Sequence, residues 1–202
     1  MPSTLLLASQ SPRRKSLLQQ LGYQFKCMPA DIDESIQAKE SAEQYVTRLA
    51  LEKANVIAKR CADDNLTFTD QVTVIGSDTS VVFNQQILGK PTSLEDCHNI
   101  LSMLSGNSHQ VITSVAVVQG QRSEVVVVST DVDFKVLTHQ EIEHYWQTGE
   151  PQDKAGAYGI QGIAGQFVKK ISGSYSAVVG LPLYETAELL TSFGITPLIA
   201  QD

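Results

Sequence analysis

Two long β-rich runs, residues 111–118 and 124–134, are separated only by the turn residues Gln119-Gly120-Gln121. This pattern predicts an antiparallel hairpin, because a short glycine-containing turn joins neighbouring strands directly. Elsewhere strand signals alternate with helix signals, beginning with a buried strand at residues 4–8 and a helix that starts at Pro12. Hairpins mixed with strand–helix alternation predict an α/β fold with a mixed sheet rather than an all-parallel one.

Capping signals and apolar stripes predict the other helices. Ser41 with Gln44, and Thr138 with Glu141, have the spacing of capping boxes. The predicted helices cover about residues 42–60, 93–106, 138–149 and 182–194, and the predicted short strands cover residues 72–76, 80–83, 87–88 and 167–171. Residues 150–165 are glycine-rich and predict a long irregular loop, a kind of segment that is often functional.

Composition excludes several classes of protein. The chain has 202 residues, 42% of them hydrophobic and 18% charged, which fits neither a disordered, a collagen-like nor a membrane protein. Its net charge of −7 argues against a nucleic-acid partner, although a local basic pocket can still bind a small polyanion. Three cysteines without a CxxC motif, and an early apolar run of only four residues (5–8), predict a reduced cytoplasmic protein that does not enter a membrane.

A basic cluster stands out near the start of the chain. Arg13, Arg14 and Lys15 occupy the first turn of the predicted first helix, and residues 1–30 contain no Asp or Glu. The helix dipole disfavours exposed cations there by about 0.3–1 kcal/mol each. A bound anion would reverse that penalty, and the helix N-terminus and the Ser9 hydroxyl would add hydrogen bonds. The cluster predicts a phosphate-binding site; the alternative is a solvated turn whose charges meet carboxylates in the folded chain.

Lys53 and Asp78 are the next unusual positions. Lys53 falls on the apolar stripe of the predicted second helix, so it either snorkels past the core or points into a cleft. Asp78 follows a predicted strand, and ligands gather at strand ends in α/β sheets. A carboxylate there can bind Mg²⁺ or take a proton from water, or it can simply cap a turn. Further carboxylates follow at Asp31, Asp33 and Glu34. One of them could be a second metal ligand, or all three could belong to a solvated loop.

Two further polar residues lie in predicted loops. Lys90 stands between Gly89 and Pro91, a context that fits a turn lysine or a phosphate contact. Gln161 lies in the glycine-rich loop, where its amide offers a donor and an acceptor to a base edge. The alternative for Gln161 is a polar loop residue without a ligand.

Several motif-based chemistries are absent from the sequence. It contains no GxxxxGK[ST], no GxGxxG after a strand, no HExxH and no GxSxG, and its four histidines lack the spacing of zinc ligands. Carboxylates, a divalent cation and a basic phosphate-binding cluster remain. That set fits phosphoryl or nucleotidyl chemistry.

Seven short segments are spread along nearly the whole chain. In order they are Leu7-Ala8-Ser9-Gln10-Ser11-Pro12-Arg13-Arg14, Asp31-Ile32-Asp33-Glu34, Ala50-Leu51-Glu52-Lys53-Ala54, Gly76-Ser77-Asp78-Thr79, Gly89-Lys90-Pro91, Asp153-Lys154-Ala155-Gly156-Ala157-Tyr158-Gly159-Ile160-Gln161-Gly162 and Val179-Gly180-Leu181-Pro182. Together they resemble the signatures of the Maf family, the septum-formation-inhibitor proteins now viewed as nucleoside triphosphate pyrophosphatases. One small departure is Gln10, where relatives often have a smaller residue.

The resemblance implies a fold similar to that of the inosine-triphosphatase group. We therefore expect one domain over residues 1–202, with an elongated mixed sheet, flanking helices and two lobes around a cleft. The implied reaction converts a nucleoside triphosphate and water to the monophosphate and pyrophosphate, with Mg²⁺ or Mn²⁺ as cofactor. The implied partner is the small nucleotide, and a homodimer fits a family of this kind.

The resemblance also implies roles for individual residues. Asp78 would be the catalytic proton acceptor and, with Glu34, a metal ligand. The phosphates would be bound by Ser9, Arg13, Arg14, Lys53 and Lys90. One branch of the family prefers dTTP and UTP, with modified pyrimidines as further substrates. This chain matches the pattern of that branch at Arg13, Thr79 and Gln161. Two alternatives stay open: a non-catalytic nucleotide-binding regulator of cell division, and a transferase that uses the same phosphate site.

Overall fold

A computed structural model describes residues 4–63 and 72–197. Over these residues the strands are β1 (Thr4–Leu7), β2 (Lys26–Cys27), β3 (Val72–Phe83), β4 (Gln86–Leu88), β5 (Ser108–Gln119), β6 (Arg122–Phe134) and β7 (Val168–Ser172). The α-helices are α1 (Pro12–Gln20), α2 (Ala42–Asp63), α3 (Leu94–Leu104), α4 (His139–Gln147), α5 (Tyr175–Val179) and α6 (Leu183–Ser192). Short 3-10 helices at Glu150–Asp153, Ala155–Ala157 and Ile163–Phe167 lie between α4 and β7.

The strands form a mixed sheet in the order β2-β1-β3-β5-β6-β7, with β4 paired to β3. β1 is parallel to β2 and β3, whereas β3 with β4 and β6 with β7 are antiparallel. The neighbouring strands β5 and β6 are joined by Gly120 and Gln121 alone, as the predicted hairpin requires. The α/β class with a mixed sheet and flanking helices is therefore confirmed.

The predicted helix caps are confirmed by their hydrogen bonds. The Ser41 hydroxyl accepts from the Gln44 N–H at 3.2 Å, and the Gln44 side chain accepts from the Ser41 N–H at 2.9 Å. Thr138 and Glu141 form the same reciprocal pair at α4. These caps satisfy N–H groups that the first turn of a helix leaves without partners, so the helices begin where the sequence predicts.

β3 corrects the predicted strand pattern. The sequence predicts separate strands at residues 72–76 and 80–83, but the structure has one strand over Val72–Phe83. Asp78 therefore lies inside a strand and not after the end of one. The Ser77 hydroxyl donates to the Gly180 carbonyl, and Asp78 accepts from Lys53. Because these polar side chains find buried partners, the strand continues through them.

Several shorter elements also differ from the prediction. Residues 150–165, predicted as irregular, contain 3-10 helices. Strand β2 and helix α5 have two and five residues. Elements of this length are too short to show a hydrophobic period in the sequence.

The chain forms two compact units. The first contains the described parts of residues 1–78, 113–128 and 180–202, and the second contains residues 79–112 and 129–179. Small and aliphatic side chains fill a core cluster of the first unit: Leu6, Ala8, Ala50, Ala54, Ile57, Cys61, Val74, Ala116 and Val118. The core of the second unit is richer in aromatic rings, including Phe134, Tyr145, Tyr158 and Phe167.

Helix α2 packs very closely against β3 at Gly76. A Cβ placed on Gly76 would lie 2.1 Å from the Ala50 carbonyl oxygen and 2.9 Å from the Ala54 nitrogen. Ala50 and Ala54 are fully buried, so small residues on both elements allow the two backbones to touch. Lys53 precedes Ala54 in the helix, and the contact therefore fixes the position of Lys53 relative to β3.

His109 is buried among the aromatic rings of the second unit. Its Nε2 atom lies 2.9 Å from the Tyr158 hydroxyl, and its ring meets Phe134 edge-on at 4.9 Å between centroids. Burial lowers the pKa of His109 to about 4. The folded chain therefore favours the neutral imidazole.

We expect Gly76→Ala to destabilise the protein by at least about 2–3 kcal/mol, because overpacking against backbone atoms cannot be relieved by a side-chain rotation. Urea unfolding measures the loss. Gly89→Ala is the matched control, since nothing lies within 4 Å of a Cβ at that position, and it should change stability by less than about 1 kcal/mol. Equal effects of the two substitutions would contradict the close contact.

Burial of His109 predicts an acid-dependent loss of stability. The unfolded chain protonates a histidine near pH 6.5, by its ordinary pKa, and the folded chain protonates His109 near pH 4. Between these values the unfolded state binds the extra proton, so stability falls as the pH falls. From pH 7 to pH 4 the wild type should lose about 2–3 kcal/mol more than His109→Gln in urea unfolding. Tyr158→Phe, which keeps His109 buried, should retain the wild-type pH dependence.

Candidate functional site

The turn between β1 and α1 is built by serine hydroxyls. Ser9 is buried, and its hydroxyl accepts from the Ser11 N–H at 3.1 Å. The Ser11 hydroxyl in turn accepts from the Arg14 N–H at 3.4 Å and caps α1. This strand–turn–helix places half-buried Arg13 and Arg14 in the first helical turn, as the sequence predicts.

Arg14 is held in place by a main-chain carbonyl of the first unit. Its Nε donates to the Gly180 carbonyl at 2.9 Å, and the Ser77 hydroxyl donates to the same oxygen at 3.0 Å. Burial lowers the pKa of Arg14, while the nearby Asp78 carboxylate opposes that shift. Arg14 is therefore half-buried rather than fully solvated, but it does lie near carboxylates, as the alternative interpretation of the basic turn expects.

Lys53 bridges the two carboxylates that the sequence singles out. Its Nζ lies 2.7 Å from Oδ1 of Asp78 and 2.6 Å from Oε1 of Glu34. Lys53 is 8% exposed and Asp78 is 7% exposed. Lys53 therefore does not snorkel to solvent, and its position on the apolar stripe is explained by a buried ion pair.

The loop that carries Glu34 is fastened to α2. The Tyr45 hydroxyl donates to the Glu34 carbonyl at 2.9 Å, and Arg48 Nη2 donates to the Ser35 carbonyl at 3.0 Å. Arg48 also pairs with Glu40 at 2.7 Å. These contacts hold the main chain at Glu34 and at the residue that follows it, while the Glu34 side chain itself is 49% exposed.

Asp31 and Asp33, the other carboxylates of this loop, are exposed. Asp33 Oδ1 accepts from the Ser35 N–H at 2.9 Å, and that hydrogen bond lowers the pKa of Asp33. Asp33 therefore stabilises a local turn. Glu34 is the residue of this segment that pairs with Lys53.

Asp78 is a buried carboxylate whose pKa is shifted from its ordinary value. Burial raises the pKa of Asp78, and the positive charges of Lys53 and Arg14 partly oppose the rise. A raised pKa makes a carboxylate a stronger base. Perturbed, partly compensated carboxyl groups of this kind are typical of functional sites, although structural ion pairs show them too.

Carboxylate oxygens of Glu34 and Asp78 both contact one cation, the Lys53 ammonium. Among residues 4–63 and 72–197 no cluster of three or more His, Cys, Asp or Glu side chains is arranged to hold a metal ion. Mg²⁺ is usually held by one or two carboxylates together with substrate phosphates. Two carboxylates therefore fit a metal that is shared with a phosphate-bearing substrate, and they do not fit a preformed protein cage.

The remaining predicted site residues belong to the second unit. Thr79 lies on β3 and is half-buried, Lys90 is exposed after β4, and Gln161 is exposed in the turn before the last 3-10 helix. The Gly156 N–H donates to the Gly89 carbonyl at 3.0 Å. That bond joins the segment preceding Lys90 to the 3-10 region that leads to Gln161.

Sequence reasoning missed the residues that hold these side chains in place. Gly180 and Ser77 lie in the segments quoted above, but nothing marks the Gly180 carbonyl as the shared acceptor of Arg14 and Ser77. Tyr45 precedes the apolar stripe of α2 and carries no separate signal. Burial and the charge of Asp78 raise the pKa of Tyr45 to about 12, and its hydroxyl donates to the Glu34 carbonyl.

The chain is similar to one protein family along most of its length. The profile described as "Maf-like protein" matches residues 4–193. A protein of Colwellia psychrerythraea named dTTP/UTP pyrophosphatase is 58% identical over 94% of this chain and 88% of its own length. Proteins of the same name from Vibrio parahaemolyticus and Vibrio cholerae are 54% and 52% identical, over 94% and 95% of this chain and 97% and 98% of their own.

Among solved structures, the Staphylococcus aureus Ham1 protein has a TM-score of 0.41 and 12% identity, covering 65% of this chain and 71% of that chain. That similarity is too low to support an argument about fold or activity. In the part of the chain that the structure describes, none of the helices combines the length and apolar character of a membrane span.

Lys53→Met should leave Asp78 buried without its counter-charge. Breaking a buried pair from one side costs about 3–5 kcal/mol, and because Glu34 can relax into solvent we expect about 2–4 kcal/mol at pH 8. Glu34→Gln, which changes the half-exposed partner, should cost less than about 1 kcal/mol. Urea unfolding without divalent cations compares the two variants. The Lys53→Met deficit should shrink in acid, where Asp78 becomes protonated; equal losses in both variants would contradict the assigned pairing.

Proposed function

This chain belongs to the Maf-like protein family, and we propose that it hydrolyses dTTP and UTP to the nucleoside monophosphate and pyrophosphate. The observation that carries the proposal is the contact of the buried Lys53 with Asp78 and Glu34, beside Arg14. The cationic side chains can bind a triphosphate, and the two carboxylates can bind the divalent cation that accompanies it. Relatives named dTTP/UTP pyrophosphatase, at 52–58% identity over nearly the whole chain, support the same substrates.

Binding of the triphosphate is assigned to hydroxyl and cationic groups. Ser9 and Arg14 support this role because both are fixed by hydrogen bonds at the start of α1. Fixed cations stabilise the charge that grows on a departing pyrophosphate without reorganising in the reaction. The full proposed set is Ser9, Arg13, Arg14, Lys53 and Lys90.

Asp78 is the proposed base. Its raised pKa favours proton transfer from the attacking water. Glu34 and Asp78 would hold Mg²⁺ or Mn²⁺, which when bound supplies Lewis-acid polarisation of the phosphate oxygens. Lys53 keeps the two carboxylates together and balances their charge. Water then attacks the α-phosphorus, and the α–β anhydride bond breaks.

Base selection is assigned to Arg13, Thr79 and Gln161. A side-chain amide can donate to the 4-keto oxygen of uracil or thymine, and it offers a weaker match to the 4-amino group of cytosine when its geometry is fixed. Both dTTP and UTP carry that keto group, as do pyrimidines modified elsewhere on the ring.

Location and assembly also form part of the proposal. Cys27, Cys61 and Cys97 are all free thiols, which supports a reducing cytoplasmic environment. A homodimer, and a single domain over residues 1–202 with two lobes around a cleft, follow from the family resemblance alone.

A substrate panel tests the reaction. Purified protein is incubated with dTTP, UTP, CTP, dATP, GTP or ITP and Mg²⁺ or Mn²⁺, and pyrophosphate is resolved from orthophosphate. Pyrophosphate with monophosphate, formed fastest from dTTP and UTP, is expected. Release of orthophosphate as the first product would place the attack on the terminal phosphate and overturn the proposal.

Asp78→Asn tests the base. Loss of a general base typically lowers turnover by about 10²–10⁴-fold, so we expect a loss in that range. Binding of a non-hydrolysable dTTP analogue, measured by calorimetry, should persist because the cationic groups remain. Wild-type turnover of the variant would show that Asp78 has another role.

A further inference from the structure

Glu150 lies at the start of the loop that carries Gln161, and its half-buried carboxylate crosses that loop. Oε2 accepts from the Ile163 N–H at 2.8 Å, and Oε1 accepts from the Ala164 N–H at 3.3 Å. Oε1 also accepts from the Tyr145 hydroxyl at 2.9 Å. One carboxylate therefore binds two main-chain N–H groups just after Gln161 and one side chain from α4.

The other side of the Gln161 turn is tied to the same carboxylate through Tyr145. The Gly159 N–H donates to the Tyr145 hydroxyl at 3.3 Å, and the Tyr145 ring packs edge-on against Phe167 at 5.2 Å between centroids. Within the turn, the Gly162 N–H donates to the Gly159 carbonyl at 3.0 Å. Gln161 thus lies at the exposed tip of a turn whose two ends meet at Glu150 and Tyr145.

Gly162 lies directly against the Glu150 carboxylate. A Cβ on Gly162 would lie 2.3 Å from Glu150 Oε2. The hydrogen bonds and this close approach show that the turn is folded around the Glu150 carboxylate. Charge-assisted hydrogen bonds to a carboxylate are roughly twice as strong as neutral ones, so replacing the carboxylate should loosen the turn more than the loss of a surface group would.

We propose that Glu150 is a positioning residue that fixes the Gln161 turn for recognition of the base, with Tyr145 as its link to the first half of the turn. The inference rests on the base-selecting role of Gln161 in the proposed function. Neither Glu150 nor Tyr145 touches the reacting phosphates in this assignment. Their loss should therefore change the choice of base far more than the rate of the chemical step.

Glu150→Gln keeps the size of the side chain and tests the carboxylate. The readout is the ratio of kcat/KM for dTTP to that for dCTP, which differ at the 4-keto and 4-amino groups. We expect a fall of about tenfold in this ratio, because a site that binds a keto group through a fixed donor loses discrimination when the donor moves. The change should come mainly from a higher KM for dTTP, with kcat within about threefold of the wild type.

Glu141→Gln is the matched control. Glu141 is also a half-buried carboxylate of the second unit, but its contacts are to Lys135 and Thr138 at the start of α4. Its replacement should lower thermal stability and leave the dTTP/dCTP ratio unchanged. If Glu141→Gln lowers the ratio as much as Glu150→Gln, general destabilisation explains both and the inference fails.

Tyr145→Phe provides a second variant that keeps the ring packing. It removes the hydroxyl that joins Glu150 to Gly159, so it should lower the ratio in the same direction by a smaller factor. It also tests the inference should Glu150→Gln fail to fold. A wild-type ratio in a folded Glu150→Gln or Tyr145→Phe protein overturns the proposal.

A double variant separates this inference from the proposed function. If Glu150 acts through Gln161, Glu150→Gln should cause no further loss of ratio in a Gln161→Ala background. Losses that multiply would show that Glu150 acts independently and would overturn the inference alone. A wild-type ratio in Gln161→Ala would overturn the base-selecting role and this inference, whereas failure of the wild type to release pyrophosphate would overturn the reaction itself.

Discussion

The burial of a lysine between two carboxylates constrains the whole first unit. Removing an ammonium or a carboxylate from water costs several kcal/mol, which is offset only by close and well-oriented partners. Lys53 meets Asp78 at 2.7 Å and Glu34 at 2.6 Å. The backbone contact at Gly76 sets the distance between α2 and β3. The ion pair therefore depends on main-chain packing, and a change in that packing reaches the site directly.

Arg14 likewise depends on close and well-oriented partners. Its guanidinium is fixed by the Gly180 carbonyl, which the Ser77 hydroxyl also binds. Because Ser77 precedes Asp78 on β3, one strand carries both the proposed base and a hydroxyl that binds the carbonyl to which Arg14 donates. The chain is strongly acidic overall, yet this part of the first unit holds its cations rigidly. Rigid charges favour an anionic ligand without a further ordering cost.

The sequence predicts best the features that depend on neighbouring residues. The capping boxes at Ser41 and Thr138 form as predicted, because a cap involves residues only three positions apart. Lys53 is correctly marked as unusual, but its partner Asp78 lies 25 residues away and no periodicity connects the two. Asp78 is chosen on the premise that a strand ends before it, and that premise is wrong since β3 runs through it.

Contacts within the Gln161 loop show more clearly that local sequence patterns do not reveal partners that are distant in the chain. Glu150 accepts from N–H groups 13 and 14 residues further along the chain, a distance at which no local pattern applies. The glycine-rich composition does indicate an irregular segment. It does not show that the segment is folded around a carboxylate. A prediction from residue type alone therefore singles out Gln161 for its amide and misses the carboxylate that holds its turn.

Glycines in this loop provide space for close packing. A Cβ on Gly162 would meet Glu150 at 2.3 Å, and a Cβ on Gly156 would meet Val81 at 2.7 Å, with Gly156 also in the left-handed region at φ +67°. Glycine at such positions costs conformational entropy on folding, so the cost must be offset by the contacts that the missing side chains permit. The turn is then ordered by internal hydrogen bonds while Gln161 stays exposed. An exposed residue on an ordered turn favours selective recognition, because a mobile amide could turn its N–H to a keto group or its oxygen to an amino group with little discrimination.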